Sequence, residues 1–315
     1  MLDVKTTQQI EKLKDKIVSL KKQKHAVIVA HNYQSCEVQE IADILGDSLE
    51  LSRAVSKLDT EIVVFCGVLF MAETASILSP NKKILLPVKE AGCALAKTIN
   101  LTDLRSLKQK FPKVPVVCYV NSSAEIKAES DLCCTSGNAV EVVNSLPQEQ
   151  IIFVPDKNLG AYVQAKLPEK KIILWQGHCP THTDVLEIEI TQAKNKYKRA
   201  EFIAHPECCQ KILRHADYVG STSGILHYAA HSNVLEFIVG TEQDMICRLK
   251  KEIPLKKFYC PSKKFICPDM KLITLESIVN SLENMVFEVR VESRIRDKAK
   301  KALQLMTSIL PKRGV

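Results

Sequence analysis

Three stretches of this chain decide its fold: AVIVAHNY (residues 26–33), VPVVCYVN (114–121) and AEFIAHPE (200–207). Each is a short, mainly apolar run that ends in polar groups spaced i, i+2, the pattern of a buried strand entering a loop. The first polar landmarks are His31, Tyr119 and His205, at offsets of 88 and 86. A second landmark, Cys93, Cys179 and Cys267, keeps the same period with offsets of 86 and 88. Two independent series at one spacing imply three copies of an α/β unit of roughly 87 residues.

The segments between the landmarks fit that reading. IVVFC and KKILL follow the first stretch, IIFVP and KKIILW the second, and ADYVG and EFIVG the third. EIADILGDSLELSRAVSKL (40–58) reads as a helix, and VFEVRV (286–291) as an extended piece between two tail helices. Strands alternating with helices predict parallel sheets. The expected fold is α/β, with three similar αβα sandwich domains in pseudo-threefold array around a central active site. The units are 1–99 with Cys93, 100–186 with Cys179, and 187–315 with Cys267 and a helical tail. A length of 315 residues alone predicts about two domains; the repeat makes it three.

Composition excludes several classes. Apolar residues form 46% and charged residues 25% of the chain, an ordinary globular balance rather than a disordered or collagen-like one. The longest apolar run, Ile62 to Ala72, is broken by Gly67 and falls well short of the ~20 residues of a spanning helix. The N-terminal segment has no continuous apolar core, so a cytoplasmic protein with reduced thiols is expected. The ten glycines form neither GxGxxG nor GxxxxGK[ST], which removes the main support for dinucleotide and P-loop readings.

Twelve cysteines need sorting. Free cysteine is among the most buried residue types, so Cys36, Cys66, Cys118 and Cys247 read as packing. Cys133-Cys134 and Cys208-Cys209 are adjacent pairs of poor geometry for a shared site, and Cys260 is given no role. Cys93, Cys179 and Cys267 remain, one thiol per unit, a tripod suited to zinc or to an iron-sulfur cluster. No CxxC pair offers the nearby fourth ligand that structural zinc favours, whereas a three-cysteine 4Fe-4S cube keeps one iron open as a Lewis acid.

The other candidates lie at strand ends. His31 with Tyr33, Tyr119 with Asn121, and His205 with Glu207 each leave one side of an extended segment. A histidine beside a carboxylate can move protons near neutral pH. Ser136-Gly137-Asn138 and Gly220-Ser221-Thr222-Ser223-Gly224 resemble strand-to-helix turns whose amides and hydroxyls cap a helix or hold an anion. The net charge of +8 helps gather small anions at most.

These residues lie within ordered blocks: AHNYQ, FCGVLFMAETASIL, EAGCALA, YVNSSAEIKAESDLCCTSGNA, WQGHCPTH, AHPEC, ADYVGSTSGIL and CPDMKLITLE. Taken together, from about residue 25 to residue 283, they resemble the quinolinate synthases, iron-sulfur transferases of bacterial and archaeal NAD biosynthesis. The resemblance implies three αβα sandwiches and condensation of iminoaspartate with dihydroxyacetone phosphate to quinolinate, with loss of phosphate and two waters. It implies a 4Fe-4S cluster on Cys93, Cys179 and Cys267, with proton handling by His205 and Glu207 and active-site tyrosines Tyr33 and Tyr119. It further implies substrate contacts from His31, Ser48, Asn121, Ser136, His182 and Thr222, and a functional link to L-aspartate oxidase. The CxxCxxC cluster of some relatives is missing at Cys260 and Cys267. Two rivals stay in view: a zinc-dependent hydrolase on the same tripod, and an iron-sulfur sensor that binds nucleic acid. The lysines are spread along the chain among acidic neighbours, so neither a nucleic-acid nor a membrane partner is expected.

Overall fold

The computed structural model describes residues 4–309. The first unit runs α1 (Val4–Lys24), β1 (Ala26–His31), α2 (Cys36–Ile41), β2 (Ile44–Gly46), α3 (Ser48–Lys57), β3 (Ile62–Cys66), α4 (Leu69–Leu78) and β4 (Lys83–Leu85). The second runs α5 (Leu101–Lys110), β5 (Val116–Tyr119), α6 (Ala124–Ala128), β6 (Leu132–Cys134), α7 (Ala139–Asn144), β7 (Gln150–Val154), α8 (Lys157–Lys166) and β8 (Lys171–Leu174). Helix α9 (Pro180–Thr183) closes the second unit, and the third runs α10 (Glu187–Lys196), β9 (Glu201–Ala204), α11 (Gln210–Leu213), β10 (Tyr218–Val219), α12 (Thr222–His231), β11 (Glu236–Gly240), α13 (Met245–Glu252) and β12 (Lys257–Tyr259). Helices α14 (Leu275–Asn284) and α15 (Ser293–Ser308) complete the chain.

Each unit builds one four-stranded parallel sheet, and all three share one strand order: β2-β1-β3-β4, β6-β5-β7-β8 and β10-β9-β11-β12. The first strand of each unit is central, with helices covering both faces, which is why it reads as an unbroken apolar run. Ile28, Val29, Val116, Val117, Phe202 and Ile203 are fully buried. In every sheet the order reverses beside that strand, and α/β sheets bind ligands beyond strand ends at such a reversal. The polar signatures emerge there.

The repeat extends to polar side chains. Asp43, Asp131 and Asp217 stand just before the second strand of their units. Their Oδ2 atoms accept the backbone N–H of Ile28, Val116 and Phe202 at 2.8, 2.8 and 2.7 Å. Lys82, Lys170 and Lys256 precede the fourth strands, and each ammonium donates to two backbone carbonyls. Those carbonyls belong to Leu58 and Thr60, Leu146 and Gln148, and Ala229 and Ser232. The aspartates satisfy amides at the buried starts of central strands, and the lysines satisfy loop carbonyls that the sheets leave unpaired.

Two expectations are corrected. The stretch 40–58 is not one helix: Ala42 adopts an extended backbone, β2 intervenes, and Asp47 starts α3 with a capping box. Its apolar residues face the core from two elements, so their spacing mimics one amphipathic helix. Strand β6 was hidden in the same way within SAEIKAESDLCC. Cys36 and Cys247, read as reduced packing thiols, are half-buried and joined by a disulfide that ties α2 to α13. The extended piece at 286–291 adds an antiparallel neighbour to the edge strand β4, through Phe287 and Val289.

The tail does not stay with the third sheet. Helix α14 packs on α1, and α15 packs on α4, α6 and β6. The last carbonyls of α15 are held by Asn138, from Met306 and Ile309, and by Arg53, from Thr307. No helix among the described residues is long and apolar enough to cross a membrane.

Asp131→Ala is expected to lower unfolding free energy by about 1–3 kcal/mol, because it leaves the buried Val116 N–H unsatisfied. Asp131→Asn, which keeps an acceptor oxygen, should lose less. Urea unfolding midpoints measure both, and equal midpoints for the alanine variant and the parent would contradict this role.

Candidate active site

All thirteen side chains singled out from sequence line one cavity of about 870 Å³ where the three sheets meet. From the first unit come His31, Tyr33, Ser48 and Cys93, and from the second Tyr119, Asn121, Ser136 and Cys179. His182, His205, Glu207, Thr222 and Cys267 complete the lining.

The cysteines do not leave strand ends directly. Each lies several residues further on, in a loop drawn back by one backbone hydrogen bond. Leu69 N–H donates to Ala91 O, Lys157 N–H to Gly177 O, and Gln243 N–H to Phe265 O, each at 2.8 Å. Each accepting carbonyl stands two residues before its cysteine. At Gly177 the approach is so close that a Cβ would run into Thr98 Oγ1 and Pro155 O, so this loop needs glycine.

Burial pushes the Cys93 thiol up to about 12 and that of Cys267 up to about 11, and raises Cys179 strongly as well. Free thiols here stay protonated at neutral pH, and a metal centre would supply the positive charge that makes them thiolates. Backbone N–H groups of Ala96 and Leu95 point at Cys93, and that of Met270 at Cys267, which suits negatively charged sulfur. The donor set therefore fits a thiolate-held metal group. Among the described residues, Cys179, His182 and Glu207 also have donor atoms within 4.8 Å of one another, as do Cys36, Asp244 and Cys247, whose two sulfurs are joined in the disulfide.

Glu207 is the electrostatic centre. Its Oε2 lies 3.2 Å from His182 Nδ1 and 3.2 Å from His205 Nδ1, and Asn121 Nδ2 donates to Oε1 at 3.5 Å. Burial alone would raise its carboxyl, but the imidazoles of His182 and His205 and the Tyr119 hydroxyl outweigh it, holding Glu207 below the usual carboxylate range. Burial lowers His31 to about 3 and, against the pull of Glu207, lowers His182 to about 4. Burial and then Glu207 raise Tyr33 and Tyr119 far above the ordinary phenol value, so both stay O–H donors. Tyr33 OH meets Thr241 Oγ1 at 2.5 Å, and His182 Nε2 meets the same oxygen at 3.0 Å.

The anion-holding side is made of helix starts. Asp47 caps α3, accepting from Leu49 N–H at 3.0 Å and Glu50 N–H at 2.9 Å, which leaves Ser48 on the first turn facing the cavity. Ser221 caps α12 by accepting Gly224 N–H at 3.2 Å, and Thr222 faces the cavity. Both turns thus cap a helix and present a hydroxyl. Ser136 differs: its hydroxyl meets His205 Nε2 at 3.0 Å, and α7 starts after Asn138 instead.

Sequence reasoning missed Thr241, Glu242 and Asp156, all fully buried at the ends of β11 and β7. Asp156 and Glu242 are 86 residues apart, so the repeat period was a signal that could have found them. Glu242 pairs with Lys271 at 2.8 Å, and Lys271 also donates to Tyr33 O at 2.6 Å, joining the Cys267 loop to the end of β1. Burial raises Glu242 to about 7 against the pull of Lys271.

The comparisons agree with this geometry. The family described as "NadA: Quinolinate synthetase A protein" matches residues 15–308. A quinolinate synthase of Alkaliphilus metalliredigens is 52% identical over 295 residues, 94% of this chain and 97% of its own length. One from Caldicellulosiruptor saccharolyticus is 49% identical over 300 residues, 95% of this chain and 99% of its own. Quinolinate synthase 2 of Methanosarcina acetivorans is 51% identical over 295 residues, covering 94% and 95%. With its profile match running nearly end to end and three periodic thiols meeting a buried histidine–glutamate centre, this chain belongs to the quinolinate synthetase A family.

Proposed function

We propose that the chain condenses iminoaspartate with dihydroxyacetone phosphate to quinolinate, releasing phosphate and two waters, as a transferase of NAD biosynthesis. The observation that carries this reading is the convergence of three thiols, one buried carboxylate between two imidazoles, two tyrosine hydroxyls and two helix N-termini on one cavity. Cys93, Cys179 and Cys267 would hold a 4Fe-4S cluster. When bound, its open iron supplies a Lewis acid for substrate oxygen or nitrogen.

The chain's own groups account for the rest. The N-termini of α3 and α12, with Ser48 and Thr222, attract the anionic ends of both substrates. Glu207, ionised at neutral pH, accepts a proton, and His205 and His182 stabilise it before and after. Tyr33 and Tyr119 donate hydrogen bonds to developing negative charge, while His31, Asn121 and Ser136 orient the bound molecule. Carbon–carbon bond formation, imine formation and two dehydrations all require such proton transfers in a place that excludes water.

We assign the three structural units to residues 1–99, 100–186 and 187–315, the last including a helical tail that packs on the first two, a division supported by the three separate sheets. We place the enzyme in the cytoplasm, where L-aspartate oxidase would supply the unstable imine.

Cys93→Ala, Cys179→Ala and Cys267→Ala are each expected to lose the cluster. Iron and sulfide analysis of anaerobically purified protein measures this, and normal content in any variant removes that residue from the tripod. One zinc and no sulfide in the parent protein would instead support the hydrolase alternative.

Glu207→Gln should keep the cluster while turnover falls by about 10²–10⁴-fold, the usual range for a lost acid–base group. Full turnover would refute its proton-transfer role. An anaerobic assay for quinolinate with freshly generated iminoaspartate and dihydroxyacetone phosphate tests the reaction itself. No quinolinate from cluster-loaded protein would overturn the proposed reaction.

A further inference from the structure

We propose that Arg248 and Asn32 fix the direction of the Thr222 hydroxyl, so that Thr222 donates into the cavity and the site there accepts an anionic oxygen. The proposal rests on the reading of the cavity as a binding site for anionic substrates.

Hydrogen-bond polarity sets each donor along this line. A guanidinium carries donors and no acceptor. Arg248 Nη1 lies 2.5 Å from the side-chain oxygen of Asn32, so the amide must turn its oxygen to Arg248 and its nitrogen the other way. That nitrogen is 2.7 Å from Thr222 Oγ1. Asn32 therefore donates, Thr222 accepts, and the Thr222 proton cannot return along the same line. Among the described residues no acceptor takes that proton, and Thr222 lines the cavity.

The relay is shielded from water. Asn32 is 0%, Thr222 2% and Arg248 9% exposed. Arg248 is anchored by Glu252 at 2.8 Å and Glu50 at 3.8 Å, and its neighbour Cys247 is tied to Cys36. Neither Asn32 nor Arg248 lines the cavity, so both are positioning residues that act through Thr222.

The device occurs once. The repeat equivalents of Asn32 are Val120 and Pro206, which have no side-chain amide. At Ser136, the equivalent of Thr222, the partner is an imidazole nitrogen that donates or accepts according to its tautomer. Thr222 alone of these two hydroxyls has a direction set by a partner that never accepts, and it sits at the positive end of a ten-residue helix. A carboxylate or phosphoryl oxygen matches that polarity, whereas a ligand group that can only donate would meet a donor.

The test titrates cluster-loaded protein anaerobically by calorimetry with two probes, quinolinate as a dicarboxylate and inorganic phosphate. The carboxylate that Asn32→Asp introduces accepts from both Arg248 and Thr222, which turns the Thr222 proton out of the cavity. Asn32→Asp and Thr222→Val are each expected to weaken the probe seated there about tenfold, and Thr222→Ser less than about threefold. Once Thr222→Val has removed the hydroxyl, adding Asn32→Asp should cost no more than about threefold, which separates the relay from simple charge repulsion.

Arg248→Gln frees the Asn32 amide to rotate and should weaken binding severalfold, a second reading that avoids a new buried charge. Loss with quinolinate alone places a carboxylate at Thr222, and loss with phosphate alone places a phosphoryl group. Unchanged binding of both probes by Asn32→Asp and Arg248→Gln, with the parent binding normally, overturns the relay. A parent protein that binds neither probe overturns the anionic-substrate reading and the relay with it.

Discussion

One backbone hydrogen bond, made once in each unit, turns the cysteine loops inward: Leu69 N–H to Ala91 O, Lys157 N–H to Gly177 O, and Gln243 N–H to Phe265 O. The donors come from where the third strand passes into its helix. Leu69 and Lys157 are the first residues of α4 and α8, whose first-turn amides have no partner inside the helix. An unmet donor at a buried helix start is costly. Drawing a distant loop onto it satisfies that donor and places a thiol at the same time. The tripod thus depends on helix termini, and the hydrogen bonds that the cysteines make with the residues after them complete the placement.

Electrostatics then follows from burial. A cavity enclosed by three sheets desolvates whatever faces it, so thiols and phenols are held protonated and the imidazoles of His31 and His182 neutral. Glu207 is the exception because His182, His205 and Tyr119 surround one carboxylate. The same pull that keeps it ionised fixes its orientation, with one oxygen shared by two imidazoles and the other facing Asn121. Acid–base chemistry is concentrated at Glu207 because this fully buried carboxylate has enough donors to remain charged.

Periodicity made the threefold architecture and much of the cavity lining readable from sequence, since symmetric units must place equivalent strand ends around one centre, whereas Ser48 and His182 were implied only by the family resemblance. What stayed hidden was set by tertiary contact. Strand β2 looked helical because its three residues are too few to show alternation and its neighbours are amphipathic helices. Cys36 and Cys247 are 211 residues apart, and nothing local announces that α2 and α13 meet. Thr241 carries no signature either. It matters only because Tyr33 and His182 arrive from two other parts of the chain. Asp156 and Glu242 were legible in principle, since they share the period of the landmarks.

The repeat is symmetric in backbone and asymmetric in chemistry, and the asymmetry matters most. Equivalent positions hold His31, Tyr119 and His205; Tyr33, Asn121 and Glu207; Ser48, Ser136 and Thr222; and Val68, Asp156 and Glu242. Structural side chains escape this divergence: Asp43, Asp131 and Asp217 make the same bond in all three units, and Lys82, Lys170 and Lys256 share one carbonyl position, that of Leu58, Leu146 and Ser232. The residues that hold each unit together are therefore separate from those that face the centre. A threefold arrangement of like donors would suit a threefold ligand, such as a metal group held by three thiols. Joining two unlike molecules needs a base at one place, fixed donors at another and anion-holding helix starts at a third. The chain meets both demands by keeping cysteine at the periodic ligand position and varying every strand end around it.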